Sequence, residues 1–344
     1  SAGVGRVDAL AAGRRTAPTA TGPSPGPVRP AASAVARAAG RTADAGLSGD
    51  GASPAGASGV AATVSSAQER PDLPRGGRSL FPRYRVVAYA GLPGTPALGR
   101  LGIGDLDTRT AELERLAARH VSDGREPLPA LELVTVVAQS RPGRDGRFRV
   151  RIDPGIVDDH LAAARRCRAL LLLNIQPGRA SLLDEVRAHA RWLREPDVGV
   201  ALDPEWAVRG RARPGEVFGY VTGRELDAVS AWLAGVVADH DLPDKLMVVH
   251  VLAPSVLRRT GPLRRRPGVQ VVRSADGIGG PGAKRRSWVA VQAGGAKAGA
   301  RHGAGVLSPG FKLFFVEDAR GPSRLMTPSE VLALRPVPDY VCYE

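Results

Sequence analysis

The sequence predicts an α/β protein that folds as a (β/α)8 TIM-like barrel preceded by a disordered N-terminal tail. Three observations predict this fold: from Phe81 onward, apolar runs alternate with Ala-, Leu- and Arg-rich stretches of helical spacing, there are eight such runs, and each run is continuously apolar. Alternating strands and helices form parallel sheets, and strands covered on both faces are apolar throughout. Eight repeats over about 264 residues match the usual size of this barrel.

The tail comprises residues 1–80, and the barrel domain comprises residues 81–344. The tail consists mainly of Ala, Gly, Pro, Ser, Thr and Arg without an aromatic residue, as in the run PTATGPSPGPVRP. Such a composition cannot bury enough apolar surface to fold. The chain begins at Ser1 without a methionine, which indicates a processed product.

The eight predicted strands are short and rich in Val, Leu and Ile. They are Arg85–Tyr89, Leu131–Ala138, Ala169–Ile175, Val198–Leu202, Leu246–Val251, Val269–Ser274, Phe311–Phe315 and Tyr340–Tyr343.

Five helices are predicted in the gaps from apolar residues at helical spacing, and Thr327-Pro328-Ser329-Glu330 has the pattern of a helix start. They are Asp107–His120, Val157–Arg168, Leu182–Leu193, Glu225–His240 and Pro328–Leu334. An open doubly wound sheet is the alternative architecture. It is disfavoured because such sheets rarely have eight strands and no G-x-G-x-x-G turn follows the first strand.

The positive charge is concentrated in one segment. Lys and Arg total 48 and Asp and Glu total 34, which gives a formal charge of +14, and residues 258–301 hold 11 basic groups and a single acid, Asp276. Only Trp288 interleaves the basic runs, and no DNA- or RNA-binding signature is present, which argues against nucleic acid as a partner. The segment is either a solvated face or a surface for an anionic glycan or anionic headgroups.

Two further features of the composition limit the function. No window approaches 18 consecutive apolar residues, so no transmembrane segment is predicted. Cys167 and Cys342 lie far apart without metal-binding spacing, which predicts two buried free thiols.

Polar side chains follow almost every predicted strand. The carboxyl ends of barrel strands meet at one face, where catalytic residues lie. The candidate residues at these ends are Tyr89, Asn174, Gln176, Asp203, Glu205, Trp206, His250, Asp276, Glu317 and Asp318.

The fourth strand end carries the most informative pair, Asp203 and Glu205. Residues i and i+2 of a strand share a face, and Pro204 between them marks the end of the strand. A D-x-E pair followed by an aromatic residue resembles the fourth-strand motif of lysozyme-like and chitinase-like barrel glycosidases, in which the Glu is the proton donor. The alternative interpretation of the pair is a helix N-cap or a surface ion pair.

Glycoside hydrolysis needs one carboxyl group that stays protonated and one anion. Glu205 is the predicted acid, and its partner is Asp203, Asp276 or Glu317, among which the sequence does not choose. Predicted substrate-binding residues are Tyr89, Asn174, Gln176, Trp206, His250 and Asp318. His250 is equally well interpreted as a hydrogen-bonding wall residue. Because it is the one His at a strand end, no metal site is predicted, and no cofactor is predicted either.

Seven segments of residues 83–344 resemble a family of uncharacterised actinobacterial secreted proteins and lipoproteins with glycosidase-like barrels. They are AYAGLPGTPALGRLG, LLLLNIQPGRASLLDEV, VGVALDPEW, GYVTGRELDAVSAWL, KLMVVHVLAPSVL, SADGIGGPGAK and FKLFFVED with LMTPSEVLALRPVPDYVCYE. The resemblance implies an extracellular or cell-envelope location, with tethering at the surface through the tail. The relatives typically read L-D-I-Q-P-G where this chain has Asn174, and H-Q where it has His250-Val251.

Two functions are therefore carried forward. The first is a glycoside hydrolase-like barrel that acts on a cell-envelope polysaccharide by carboxylate acid/base catalysis. The second is a non-catalytic glycan-binding barrel that has lost activity, for which Asn174 in place of a carboxylate is the main argument. The sequence leaves open whether the chain is an enzyme. A basic nucleic-acid or anionic-surface binder ranks third.

Overall fold

The computed structural model describes residues 70–297 and 307–344. For residues 293–297 it describes the backbone but not the side chains. Residues 1–69 of the predicted tail lie outside the described residues. The folded unit begins at Arg70.

Eight parallel strands form the barrel, as predicted. They are β1 (Tyr84–Gly91), β2 (Glu126–Ala138), β3 (Leu170–Ile175), β4 (Val198–Leu202), β5 (Lys245–Val251), β6 (Val269–Ala275), β7 (Leu307–Leu313) and β8 (Tyr340–Tyr343). Each strand pairs in parallel with its sequence neighbours, and β1 pairs with both β2 and β8, which closes the sheet. The closure excludes the open doubly wound sheet.

The helices occupy the connections between the strands. They are α1 (Leu106–Ala118), α2 (Pro154–Arg166), α3 (Leu182–Arg187), α4 (Ala190–Leu193), α5 (Gly223–Asp239), α6 (Pro281–Lys297) and α7 (Pro328–Leu332). The helix start predicted at Thr327 is confirmed, because Thr327 and Glu330 form a capping box. The helix predicted over Leu182–Leu193 is two helices, with the break at Ala188 and His189.

Helix α6 and three short strands were not predicted. The sequence of α6 is rich in Gly, Lys and Arg, and its described buried side chains include Trp288 and Val291, so it lacks the continuous apolar stripe from which a helix is predicted. A short strand over Arg149–Arg151 pairs antiparallel with β2, and strands of two residues at Val221–Thr222 and Leu257–Arg258 pair with each other.

Alternate side chains of the strands pack in two separate layers. Tyr84, Val86 and Ala88 of β1 belong to the cluster inside the barrel, whereas Val87 and Tyr89 belong to the cluster between the barrel and the helices. The inner layer tolerates no side chain at Gly199, where an added Cβ would lie 2.5 Å from the carbonyl oxygen of Leu246. Residue parity along each strand therefore decides which side chains enter the barrel.

The segment before β1 packs against the inner layer. Leu73 and Leu80 are buried with the barrel-interior cluster, the hydroxyl of Tyr84 donates to the carbonyl of Gly76 at 2.7 Å, and the amide of Leu80 donates to Asp244 at 3.0 Å. Residues 70–80 therefore belong to the folded unit and not to a tail that ends at residue 80. The packing was not predicted because Leu73 and Leu80 are isolated apolar residues in a stretch that has no aromatic residue before Phe81.

Arg85 joins two loops to the start of β1. Its side chain is fully buried, and its guanidinium donates to the carbonyls of His120 (2.7 Å) and Pro338 (3.0 Å) and to the carboxylate of Asp123 (2.8 Å). These contacts join the loops that precede β2 and β8 to β1. A buried guanidinium of this kind is costly unless all of its donors are paired.

We expect Arg85→Ala to lower the free energy of unfolding by about 3 kcal/mol, because the substitution leaves buried carbonyls without donors and removes the closer of the two arginine partners of Asp123. Urea denaturation measures the change. Arg191→Ala is the matched control, since Arg191 pairs with Asp158 and both side chains are 56% exposed. An exposed pair contributes less than about 1 kcal/mol. Equal losses in the two variants would contradict the assigned role of Arg85.

Candidate functional site

Polar and ionisable side chains from several strands converge inside the barrel. Glu132 of β2, Asn174 of β3, His250 of β5 and Lys312 of β7 sit at positions whose parity directs them inward, and all are buried. Asp203 follows β4 directly, and its side chain joins this group. The fold thus collects charges that lie far apart in the sequence.

The centre of the site is a line of three groups, Glu132, His250 and Asp276. Nε2 of His250 lies 2.9 Å from Oε1 of Glu132, and Nδ1 of His250 lies 2.7 Å from Oδ2 of Asp276. Burial alone lowers the pKa of His250, but the two carboxylates outweigh it and hold that pKa well above its usual value. His250 is therefore an imidazolium between two anions.

Both carboxylates in this line are ionised. Burial acts to raise the pKa of Glu132, but His250, Lys312 and the Tyr340 hydroxyl reverse that effect and lower it to about 2. The pKa of Asp276 is also lowered, because His250 outweighs the effect of burial and Ser274 donates to Oδ1 of Asp276 at 2.6 Å. The hydroxyl of Tyr340 donates to the second oxygen of Glu132.

Lys312 is the second buried cation of the site. Its Nζ lies 2.5 Å from Oε2 of Glu344 and 4.0 Å from Oδ2 of Asp276. Burial opposes its charge, but Glu344 and Asp276 raise its pKa well above the ordinary lysine value. Lys312 thus supplies a second buried positive charge that acts on Glu344, Asp276 and Glu132.

Asn174 and Gln176 position the carboxylate of Asp203. Nδ2 of Asn174 donates to Oδ1 of Asp203 at 3.1 Å and to Oε1 of Glu132 at 2.9 Å, and Nε2 of Gln176 donates to Oδ2 of Asp203 at 3.3 Å. Both oxygens of Asp203 therefore accept a hydrogen bond from an amide. Burial raises the pKa of Asp203, whereas His250, Lys312 and Asn174 act against that shift.

Glu205 lies beyond β4 in a 3-10 turn over Pro204–Trp206. Its Oε2 is buried without a hydrogen-bond partner among the described residues. Burial, followed by the charge of Asp203, raises the pKa of Glu205 well above its usual value. Glu205 is thus a half-buried residue with a buried Oε2, and its carboxyl group holds its proton beside a carboxylate that is held by amide donors.

Several predicted residues join this site and others do not. The predicted residues that share it are Asn174, Gln176, Asp203, Glu205, His250 and Asp276. Trp206 is half-buried in the same turn as Glu205.

Tyr89 points away from the mouth of the barrel. It lies on the helix-facing side of β1, where its ring contacts Phe315 edge-on with 6.0 Å between the centroids. Its position at the end of a strand suggested the mouth, but the alternation of side chains along β1 directs it outward.

The two acidic residues after β7 are engaged elsewhere. Glu317 pairs with Arg320 at 3.4 Å, and its side chain is 37% exposed. No described hydrogen bond or ion pair joins Glu317 to Glu205 or Asp203.

Asp318 is buried and holds two loops together. Its carboxylate accepts from the amides of Gly279 (2.8 Å) and Phe314 (2.9 Å) and pairs with Nζ of Lys284 at 2.9 Å. All of its described contacts are structural, so a ligand would have to break them to reach this carboxylate.

Sequence reasoning missed Glu132, Lys312 and Tyr340. Glu132 and Lys312 lie inside otherwise apolar strands, in LPALELVTVV and FKLFF, whereas Tyr340 is the first residue of β8. A charged residue within a buried strand is rare unless it is paired, and that rarity is the signal that could have identified Glu132 and Lys312. Within residues 70–297 and 307–344, no group of three or more His, Cys, Asp or Glu side chains is arranged to hold a metal ion.

Comparison with models of known protein families and with curated proteins finds no match. Among solved structures, the chain is similar to a hyperthermophilic endo-beta-1,4-glucanase crystallised with its substrate, with 9% identity and a TM-score of 0.34, over 74% of this chain and 87% of that one. The class of the protein, a closed parallel (β/α)8 barrel, follows from its own strand pairing. No described helix is long and apolar enough to cross a bilayer.

Two buried histidines are expected to differ in protonation at pH 7, because only His250 lies between two carboxylates. Burial lowers the pKa of His120 to about 4, so its ring is neutral, whereas His250 is an imidazolium. We expect 15N chemical shifts of the histidine rings to show this difference. Glu132→Gln should lower the pKa of His250, because it removes one of the two anions that hold the charge, and should leave His120 unchanged. A neutral His250 ring in the wild type at pH 7 would contradict the assignment.

Proposed function

We propose that the protein is a glycoside hydrolase-like barrel that cleaves a cell-envelope polysaccharide, with Glu205 as the general acid. The observation that carries this proposal is the Glu205 carboxyl group: its pKa is raised well above the ordinary value, and its buried Oε2 has no described partner. A carboxyl group kept protonated at neutral pH is what protonation of a glycosidic oxygen requires. The envelope location rests on the sequence resemblance.

The second carboxyl group of the proposed reaction is Asp203. Asp203 and Glu205 share one environment, and the proton they compete for goes to Glu205, because two amides donate to Asp203 and none of the described groups donates to Oε2 of Glu205. Asp203 then serves as the anion that orients a water molecule or a substrate group. Asp276 is paired with His250 and contributes through its charge.

Unsatisfied buried atoms support the binding of a ligand at the same place. Besides Oε2 of Glu205, Oδ1 of Asn174 is buried without a described partner. Buried polar atoms are normally paired. These two unpaired oxygens, both close to Asp203 in the fold, are therefore suited to a bound group with its own donors and acceptors. Sugar hydroxyls supply both.

The second candidate function is a glycan-binding barrel without turnover, and Asn174 is the observation that favours it. The resembling family carries an Asp where this chain has an amide that donates to both Glu132 and Asp203. The loss of one carboxylate would remove activity if that carboxylate were the working anion. Binding without hydrolysis distinguishes this function from the first.

We expect Glu205→Gln to lower kcat for polysaccharide hydrolysis by about 100-fold or more, because the amide cannot donate the proton that general acid catalysis supplies. Release of reducing ends from a panel of envelope polysaccharides measures the rate. Glu317→Gln is the matched control, since it makes the same chemical change in a residue paired with Arg320 outside the site. Hydrolysis that is equally fast in wild type and Glu205→Gln would refute the role of Glu205, and glycan binding without hydrolysis in both would establish the binding module.

The pH dependence of hydrolysis has a defined sign. The proton on Glu205 is present below its raised pKa and is lost above it. We therefore expect kcat/KM to fall on the alkaline side, with the midpoint well above the ordinary pKa of a glutamic acid. A rate profile over pH measures this limb, and its absence in the wild type would exclude Glu205 as the acid. In Glu205→Gln the residual rate should lack the alkaline limb.

A further inference from the structure

A cleft beside the carboxyl end of the barrel is separate from the buried line of charges. Its volume is about 840 Å³, and it lies between the starts of α3 and α5. Its wall includes Ala207 together with four arginines and two acidic residues, Arg147, Arg179, Arg209, Arg224, Asp145 and Glu225. Ala207, two residues after Glu205, connects the cleft to the proposed acid.

Arginine outnumbers acid in the wall of this cleft. Four arginines and two carboxylates line it, and both carboxylates already have arginine partners. Asp145 pairs with Arg149 at 2.7 Å, and Glu225 holds Arg209 through both oxygens at 2.7 and 2.9 Å. Among the described residues, the other three arginines, Arg147, Arg179 and Arg224, have no carboxylate partner.

Arg179 is held in place without its charge being neutralised. Its Nε and Nη2 donate to the carbonyl of Ala212 at 3.1 and 2.8 Å, and its guanidinium lies 4.1 Å from the ring centroid of Phe148. A backbone carbonyl and an aromatic face orient a guanidinium but supply no anion. Arg147 and Arg224 are exposed at the same cleft.

We propose that this cleft is a binding subsite for an anionic substituent of a glycan, a carboxylate or a phosphate, that lies next to the bond held by Glu205. Planar guanidinium groups bind both oxyanions in pairs of hydrogen bonds, and three uncompensated arginines provide the donors. The glycan part of this proposal rests on the proposed function, whereas the oxyanion part rests on the cleft.

The basic segment at residues 258–301 was interpreted from the sequence as either a solvated face or a surface for an anionic partner, and several of its described cations are engaged within the fold. Arg266 pairs with Asp227 at 2.6 Å, and Arg285 pairs with Glu330 at 3.3 Å. Lys284 is buried against Asp318. Arg258 stacks 3.7 Å from the ring centroid of Tyr220. The cleft arginines are a better candidate because they converge on a cavity.

The test is the affinity of the full chain for charged and uncharged forms of one sugar, measured by isothermal titration calorimetry. The probes are oligogalacturonate, its methyl ester, which removes the charge, and an oligosaccharide with phosphodiester groups. All titrations use Glu205→Gln, so that turnover does not consume the probe. We expect the charged probe of the matching chemistry to bind, and the Arg147→Ala/Arg224→Ala double variant to weaken its Kd about tenfold or more.

The matched control is Arg115→Ala/Arg119→Ala, which removes two exposed arginines at α1 that do not line the cleft. It should leave the Kd unchanged, and Arg179→Ala should weaken it as the double variant does. Tighter binding of oligogalacturonate assigns a carboxylate, and tighter binding of the phosphodiester probe assigns a phosphate. The proposal is overturned if neither charged probe binds more tightly than the methyl ester, or if the cleft and control variants lose affinity equally.

These outcomes separate the subsite from the proposed reaction. Hydrolysis that depends on Glu205, combined with unchanged affinity in the Arg147→Ala/Arg224→Ala variant, refutes the subsite alone. Charge-dependent binding in the cleft, combined with no hydrolysis of any polysaccharide by the wild type, retains the subsite and refutes catalysis. Unfolding by urea shows whether each variant keeps the stability of the parent chain.

Discussion

The ion pairs of His250 with Glu132 and Asp276 are the interaction on which the rest of the site depends. An ionised group inside a closed barrel is tolerated only when an opposite charge and hydrogen bonds compensate for the water it has lost. His250 supplies a cation to both carboxylates, at 2.9 and 2.7 Å. Removing His250 would leave two buried carboxylates without the cation they share, so the line constrains an inward position on β2, one on β5 and the residue after β6 at once.

This pairing also explains why one carboxyl group in the site stays protonated. Glu132 and Asp276 have cations within reach, and amides donate to Asp203. No described donor reaches the buried Oε2 of Glu205, and the charge of Lys312 only partly opposes the cost of desolvation and the negative charge of Asp203, which both favour the acid form. Two carboxyl groups of one site, those of Asp203 and Glu205, thus differ in protonation although they are two residues apart in the sequence.

The sequence was sufficient for the barrel but only for part of the site. The eight strands were found from their apolar runs and the helix start at Thr327 from a local pattern, so both could be predicted without tertiary information. Glu205 and Asp203 were found because the end of their strand is marked by Pro204. Glu132 was missed because it lies within a strand and not at its end. Tyr89 was placed in the mouth because the position of a strand end does not show whether a side chain faces the barrel interior or the helices.

The loop after β4 joins the acid to the cleft because its backbone is closed on itself. The amide of Gly219 donates to the carbonyl of Glu205 at 2.6 Å, and the amide of Tyr220 donates to that of Ala207 at 3.1 Å. Gly219 is required there, since an added Cβ would lie 2.3 Å from the backbone of Ala207. The wall of the cleft at Ala207 is therefore joined to Glu205 through a closed backbone loop, and in the proposed subsite this connection would position a ligand group bound by the arginines relative to Glu205. Such positioning is how contacts remote from the reacting bond contribute to rate.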